Sequence, residues 1–154
     1  MKITLPVLFA LLIIAGCNMQ EPTESEETRT DIKEISNDGI FIHVSSGPEA
    51  PNKVLMGLSL AAKMASADKD VAVFFDLEGI KVILKDSPEL SGEHYLSSRE
   101  SLDKLKDAGA ILMACPMCLK KHGKTENDLM EGFIIAEIEK FFNFTDGRII
   151  SLDY

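Results

Sequence analysis

The sequence predicts an α/β fold, a three-layer α/β/α sandwich around a mainly parallel sheet of about five strands. Three short and almost wholly apolar runs, at 39–44, 71–75 and 110–114, are typical of strands that are covered on both faces. Segments with the apolar spacing of helices separate these runs along the chain. A strand, a helix and a second strand in this order form the βαβ unit of a parallel sheet.

The first half of the domain contains one complete βαβ unit. Its predicted elements are a strand at 39–44, a loop at 45–52, a helix at 53–67 and a strand at 71–75. The segment 76–95 has a less definite pattern. Residues 79–85 fit either a strand or an apolar helical turn, and 86–92 is expected to be a loop.

The second half is predicted to continue the sheet. Its expected elements are a helix at 97–108, a strand at 110–114, a helical turn or tight loop at 119–123, a helix at 134–142 and a strand at 148–152. Ser97 and Glu100 match a capping box at the start of the first helix, and Gly109 is a typical helix stop. The turn Asp146-Gly147 precedes the last strand.

The N-terminal segment 1–16 is predicted to be a signal peptide. Lys2 precedes an apolar run at 3–14, which is shorter than the roughly 20 residues of a membrane-spanning helix. The run ends in Ile14-Ala15-Gly16-Cys17, which resembles the lipobox of bacterial lipoproteins and predicts lipidation of Cys17. The alternative is an ordinary secretory signal with Cys17 as an incidental residue. We expect an exported lipoprotein anchored to a membrane, in the periplasm or on the outer face of the cell membrane.

Composition divides the rest of the chain into a tether and one domain. Residues 17–38 are acidic and rich in Ser and Thr, which predicts a solvated tether after the lipidated Cys17, and residues 39–154 are long enough for a single core. The formal net charge of the whole chain is −9. This charge argues against a nucleic-acid partner and against electrostatic binding to anionic lipid, so membrane association is expected to depend on the anchor.

The motif Cys115-Pro116-Met117-Cys118 directly follows the predicted strand at 110–114. Ligands and chemistry collect at the carboxyl edge of such sheets, and backbone N–H groups of the following turn would favour a thiolate at Cys115. A thiolate can attack sulfur, hold a persulfide, close a disulfide or bind a soft metal. Lys120, Lys121 and His122 are expected to add a supporting cationic environment.

Several functions fit the motif alone. A thioredoxin-like dithiol oxidoreductase is disfavoured because the motif follows two strand–helix units and no Pro follows Pro116. Cys115, Cys118 and His122, with Met117, would suit Cu(I) or Zn but supply at most three strong ligands. Further alternatives are an inert pair of cysteines, either as a disulfide or as two buried thiols, and a non-catalytic interaction module at the membrane surface. No cofactor is predicted.

Residues 39–154 resemble the DsrE/DsrF-like family of sulfur-relay proteins, which includes the TusD subunit of tRNA thiolation. The similar segments are the strand and loop at 40–49, the helix behind it, the strand at 71–75, the strand into Cys115, and His122-Gly123 before 128–132. In the family, a cysteine after this strand and eight residues before a Gly carries sulfane sulfur, and Cys115 and Gly123 have that spacing.

The resemblance implies that Cys115 carries a persulfide, as a carrier or sulfurtransferase. It also implies sulfur donor and acceptor proteins, or small thiols and polysulfide, as partners, and a homo-oligomer, either a trimer or a hexamer. The resemblance says less about Cys118. Because Cys118 lies further into the turn than Cys115, we expect its thiol to have the higher pKa and to act as a resolving thiol. His43 is predicted to be a satisfied core histidine, and no role is assigned to His94.

Overall fold

A computed structural model of the protein describes residues 37–154. The strands are β1 (Gly39–Val44), β2 (Asp70–Phe75), β3 (Ile111–Ala114), β4 (Phe133–Ile135) and β5 (Ile149–Asp153). The α-helices are α1 (Pro51–Ala65), α2 (Ser98–Asp107) and α3 (Pro116–Lys121). Short 3-10 helices cover Leu77–Val82, Glu126–Asp128 and Ile138–Phe141.

The five strands form one sheet in the order β4-β3-β2-β1-β5, and every neighbouring pair is parallel. The predicted α/β class, with a mainly parallel sheet of five strands, is confirmed. Each crossover that joins neighbouring parallel strands needs a long connection, which α1 and α2 supply for β2 and β3.

The main core lies between one face of the sheet and the helices α1 and α2. Alternate residues of the three central strands point into it, because successive side chains of a strand face opposite sides. These residues are Ile40, Ile42, Val44, Val71, Val73, Phe75, Leu112 and Ala114. They pack with buried helix residues such as Leu55, Leu58, Leu102 and Leu105, which are at most 1% exposed. This packing fixes the sheet against one helical layer.

The opposite face of the sheet carries an aromatic cluster. Phe141 packs against Phe74 and Phe41, with ring centroids 5.0 and 5.5 Å apart, and Phe144 lies 6.5 Å from Phe41. The 3-10 helix Ile138–Phe141 and the residues after it therefore form the third layer. Several large apolar side chains remain exposed on this face, among them Ile138 at 76%, Phe142 at 67% and Ile149 at 41%.

The helix predicted for 134–142 is wrong. Phe133–Ile135 pairs with β3 as the edge strand β4, and Ile138–Phe141 is a short 3-10 helix. Short apolar runs fit a strand and a buried helix equally well by periodicity, and Ile134 and Ile135 are β-branched residues that favour a strand. Pairing with β3 decides between the two.

Local signals gave both ends of α2 correctly. The Ser97 hydroxyl accepts the N–H of Glu100 at 3.2 Å, which is one half of the predicted capping box, while the Glu100 carboxylate pairs with Lys104 instead. The helix ends before Gly109, whose φ is +76°. Only a residue that tolerates positive φ fits there without strain. In the unclear segment, Leu77–Val82 is a 3-10 helix with buried Ile80 and Val82, so the helical-turn alternative is the right one.

The N-terminal predictions lie outside the described residues. These are the signal peptide 1–16, the lipidation of Cys17 and nearly all of the tether. At the end of the tether, Asp38 is described, and its carboxylate binds the Arg148 guanidinium at 2.6 Å. No helix within residues 37–154 has the length and apolar character needed to cross a membrane.

Candidate functional site

The carboxyl ends of β1, β2 and β3 meet at one edge of the sheet. In the strand register Val44 lies beside Phe75, and Phe75 lies beside Ala114, so each of these strands ends at the same level. The residue after each strand continues the alignment: Asp76 N–H donates to Val44 O at 3.2 Å, and Cys115 N–H donates to Phe75 O at 2.9 Å. The loops that follow these strands therefore begin side by side.

Cys115 links β3 to α3 and is partly exposed. Its backbone is extended, and Pro116 begins the helix immediately after it. Pro suits this position because the first helical N–H has no partner within the helix and its φ is already near the helical value. The Leu119 N–H donates to Cys115 O at 3.0 Å and closes the first turn. The thiol of Cys115 is thus fixed at a strand-to-helix junction with access to solvent.

Cys118 lies one turn further along α3 and is buried, with 9% of its surface exposed. Both cysteines are free thiols. The Sγ of Cys118 accepts the backbone N–H of Leu77 at 3.1 Å. Burial raises the pKa of the Cys118 thiol, the neighbouring Cys115 and the charge of Asp76 raise it further, and the bond from Leu77 N–H opposes them. Cys118 is therefore the protected thiol of the pair.

The turn after β2 connects the two thiols to the rest of this edge. Leu77 has a φ of +41°, which is rare for a residue with a side chain. Its N–H points at Cys118 Sγ, and its carbonyl oxygen lies 2.9 Å from His122 Nε2. Sequence reasoning assigned nothing to Asp76 or Leu77, because neither residue type signals a left-handed turn here.

Two glycines allow the loops at this edge to approach each other closely. A Cβ on Gly79 would lie 2.1 Å from Val44 O, and a Cβ on Gly47 would lie 2.5 Å from Glu78 O. The Gly79 N–H donates to Ser45 O at 3.2 Å. Both positions require glycine for space, since a backbone atom occupies the place of the side chain.

His43 lies near the end of β1, on the face opposite the main core, between two carboxylates. Its Nε2 is 2.9 Å from Asp76 Oδ1, its Nδ1 is 2.8 Å from Asp153 Oδ1, and its ring stacks on Phe74 at 5.6 Å. Burial lowers the pKa of His43, but Asp76 and Asp153 together raise it above its usual value. The contact between His43 Nε2 and Asp76 Oδ1 is an ion pair when His43 is protonated.

The prediction for His43 needs correction. It has the polar partners expected of a satisfied histidine, but with 27% of its side chain exposed it lies at the sheet edge and not in the core. The available signal was positional: His43, Asp76 and Asp153 each stand at or just beyond the end of a strand. Such residues come into contact only when their strands are neighbours in the sheet.

Of the three predicted supporting residues, only His122 contacts this site directly, while Lys121 acts at longer range, adding to the effect of Lys81 in lowering the pKa of Glu78. Lys120 and Lys121 are exposed in the last turn of α3, at the opposite end of the helix from Cys115. Within residues 37–154 neither lysine forms an ion pair or a side-chain hydrogen bond. His122 reaches the site as a hydrogen-bond partner of Leu77, and its Nε2 lies 3.9 Å from Glu78 Oε1.

The residues proposed for a soft-metal site do not form a ligand cluster. In the described part of the chain, no three or more His, Cys, Asp and Glu side chains are grouped so that they could hold a metal ion. His122 is instead bound to the Leu77 carbonyl, and Cys118 to the Leu77 amide. The arrangement supplies two free thiols of different exposure, one hydrogen-bond donor to sulfur and a histidine between carboxylates. It is suited to thiol chemistry.

Three comparisons relate this chain to known proteins. The model of the DsrE/DsrF-like family matches residues 38–146. No curated protein matches the chain. Among solved structures, the YchN protein from E. coli is similar with a TM-score of 0.59 and 16% identity, over 75% of this chain and 99% of that one. MTH1491 from Methanobacterium thermoautotrophicum, described as a protein of unknown function, has a TM-score of 0.55 and 17% identity over the same shares. At these identities the two structures establish the shared fold.

Proposed function

The chain belongs to the DsrE/DsrF-like family, and from this premise we propose that it carries sulfane sulfur as a persulfide on Cys115. The family is associated with sulfur relay in general. The observation that carries the specific proposal is the position of Cys115: a free, partly exposed thiol at the carboxyl edge of the sheet, next to a buried second thiol. A sulfur carrier needs a nucleophile that donors and acceptors can both reach.

The proposed cycle has two thiol-exchange steps. In loading, the Cys115 thiolate attacks a sulfane sulfur of a polysulfide or a donor persulfide, an S–S bond forms, and the rest of the donor leaves as a thiolate or hydrosulfide. In transfer, an acceptor thiolate attacks the outer sulfur and Cys115 leaves as a thiolate. No net oxidation occurs over the cycle, and the donors and acceptors are proteins or small thiols.

The burial and position of Cys118 suit it to act as the resolving thiol in this proposal. A buried thiol with a raised pKa competes poorly for an external donor, so loading is directed to Cys115. Once Cys115 carries sulfur, Cys118 is the adjacent intramolecular thiol, and closing the Cys115–Cys118 disulfide would release the sulfur. The alternative of a dithiol that only exchanges disulfides uses the same pair and predicts no persulfide.

The location and assembly of the carrier are further parts of the proposal. Lipidation of Cys17 would hold the domain at a membrane on the exported side, with residues 18–38 as the tether. The exposed apolar side chains Ile138, Phe142 and Ile149 support a homo-oligomer, because monomeric proteins seldom expose such groups together.

Two matched variants test the role of each thiol. The protein is incubated with polysulfide, separated from excess reagent, and its bound sulfane sulfur is measured as thiocyanate after cyanide treatment. Cys115→Ser should abolish the bound sulfur, and Cys118→Ser should keep it and prolong its lifetime. Loading that survives in Cys115→Ser, or that disappears in Cys118→Ser, would contradict the assignment. A wild-type protein that never loads, although both thiols alkylate when reduced, would favour the dithiol or a non-catalytic interaction module.

A further inference from the structure

We propose that the Leu77 amide, in the turn that follows β2, activates Cys118 as the resolving nucleophile, and that His122 is the positioning residue that holds this turn. The inference rests on the proposed persulfide on Cys115 and extends it to the step that releases the sulfur. Neither Asp76 nor Leu77 belongs to a recognisable sequence motif. His122 contributes to this step through a hydrogen bond to the turn and not through its charge.

The Leu77 amide is aimed at the Cys118 sulfur by an unusual backbone conformation. The N–H donates to Sγ at 3.1 Å, and φ at Leu77 is +41°. A residue with a side chain adopts this region at a cost, so the surroundings must impose it. Burial of the side chain does not explain the cost, because Leu77 is 49% exposed. The feature that this conformation does produce is the N–H bond to sulfur.

Contacts on both sides of the peptide fix the turn. On the Leu77 side, the carbonyl oxygen can only accept, so His122 Nε2 carries the proton of the 2.9 Å contact. On the Asp76 side, the backbone N–H is bonded to Val44 O, and the carboxylate lies 2.9 Å from His43 Nε2. His122 is the first residue after α3, the helix that carries Cys118. Its hydrogen bond to Leu77 O therefore holds the turn against the same helix as the thiol.

The donor matters because the other neighbours of Cys118 disfavour its thiolate. Burial, the Cys115 sulfur and the Asp76 carboxylate all oppose a negative charge on Cys118. The Leu77 N–H stabilises that charge directly. His43, between Asp76 and Asp153, offsets the charge of Asp76 when it is protonated. Glu78, 3.9 Å from His122 Nε2, is paired with Lys81, and Lys121 is a further positive charge near it.

The proposed step balances without an external oxidant or reductant. The Cys118 thiolate attacks the inner sulfur of the Cys115 persulfide, which is the Sγ of Cys115. The Sγ–Sγ bond forms, the bond to the outer sulfur breaks, and the outer sulfur leaves with the electron pair as hydrosulfide. The two cysteines are oxidised to a disulfide, and the sulfane sulfur is reduced to sulfide.

The test measures Cys118 itself as well as sulfur release. In the full chain, the rate of Cys118 alkylation is followed against pH by mass spectrometry. Fragment ions assign the label to Cys118 or Cys115, because only Pro116 and Met117 separate the two cysteines and they share one tryptic peptide. Sulfide release is measured in a single turnover from persulfide-loaded protein. The test variants are His122→Ala and His122→Gln, whose amide can still donate to Leu77 O. The control variant is Lys124→Ala, which deletes a positive charge close to His122 in sequence that is paired with Asp86 and not with the turn.

In His122→Ala we expect the thiolate fraction of Cys118 at neutral pH and the sulfide-release rate to fall by about tenfold, which corresponds to one pKa unit. Release rates are normalised to the amount of persulfide that each variant carries at the start. His122→Gln should restore both values, and Lys124→Ala should match wild type. The proposal is overturned if His122→Ala alkylates at Cys118 and releases sulfide as wild type does, or if Lys124→Ala has the same effect as His122→Ala. If wild type forms no persulfide, the proposed function fails, and the alkylation profile alone still decides the role of the turn.

Discussion

Among Gly-to-Ala substitutions in the described residues, Gly79→Ala should disturb the candidate site most, because its added Cβ makes the shortest contact. An added Cβ would lie 2.1 Å from Val44 O and 3.0 Å from Val44 C. Val44 is fully buried, and its carbonyl oxygen accepts the Asp76 N–H, so β1 cannot move away. The turn that carries Leu77 must shift by roughly 1 Å to reach ordinary contact distances.

The cost follows from the contacts that this shift breaks. Overpacking of this kind costs about 1–3 kcal/mol. The bond from Gly79 N–H to Ser45 O would also be lost, at about 1 kcal/mol. We therefore expect Gly79→Ala to lower the free energy of unfolding by about 2–4 kcal/mol. The same shift should move the Leu77 N–H away from Cys118 Sγ and slow alkylation of Cys118.

Urea denaturation with a matched glycine control tests this expectation. Gly109→Ala lies at the end of α2, where φ is +76° and nothing is within 4 Å of the added Cβ. It should cost only about 1 kcal/mol from the backbone conformation and leave Cys118 alkylation unchanged. A Gly79→Ala protein within about 0.5 kcal/mol of wild type, with wild-type alkylation of Cys118, would refute the reasoning.

Three other predictions concern the edge histidine, the apolar surface and the anchor. The raised pKa of His43 means that its protonation stabilises the folded protein fully below the unfolded pKa of 6.5, and that this stabilisation is lost as pH rises through the folded pKa. His43→Gln should therefore lower the free energy of unfolding by about 1 kcal/mol near pH 5.5 and by much less near pH 9. Equal losses at the two pH values would contradict this expectation. By light scattering at micromolar concentration, wild type should be an oligomer, Phe142→Glu should lower its mass and Met56→Glu should not; a monomeric wild type would refute the oligomer. Cys17→Ser should leave the protein uncleaved or release it into the soluble exported fraction, and normal processing with membrane retention would exclude lipidation.

The strands of the central sheet could be predicted because burial on both faces leaves a direct trace in the sequence. Apolar runs such as 39–44 and 71–75 have few alternative interpretations when a helical segment separates them. The end of α2 was predictable for a local reason, since Gly109 supplies a positive φ. β4 was not, because a three-residue edge strand depends on pairing with β3 and not on its own pattern.

The site could be predicted only where the chain itself brings residues together. Cys115 and Cys118 are one helical turn apart, so their proximity is encoded locally. The pairing of His43 with Asp76 and Asp153 depends on β1 lying between β2 and β5, which no local pattern specifies. The turn at Leu77 is still less visible, since leucine rarely adopts positive φ and its conformation is imposed by contacts from α3 and β1.

Peptide mass spectrometry after polysulfide treatment tests the central claim most directly. The reduced full-length protein is incubated with polysulfide, alkylated and digested, and fragment ions of the peptide that contains both Cys115 and Cys118 assign the added sulfur to one of the two thiols. We predict that the Cys115 thiol gains the mass of one sulfur atom in wild type, and that Cys118→Ser retains this adduct longer. An adduct confined to Cys118, or no adduct on a reduced Cys115 that iodoacetamide readily labels, would contradict the assignment of Cys115 as the sulfur carrier.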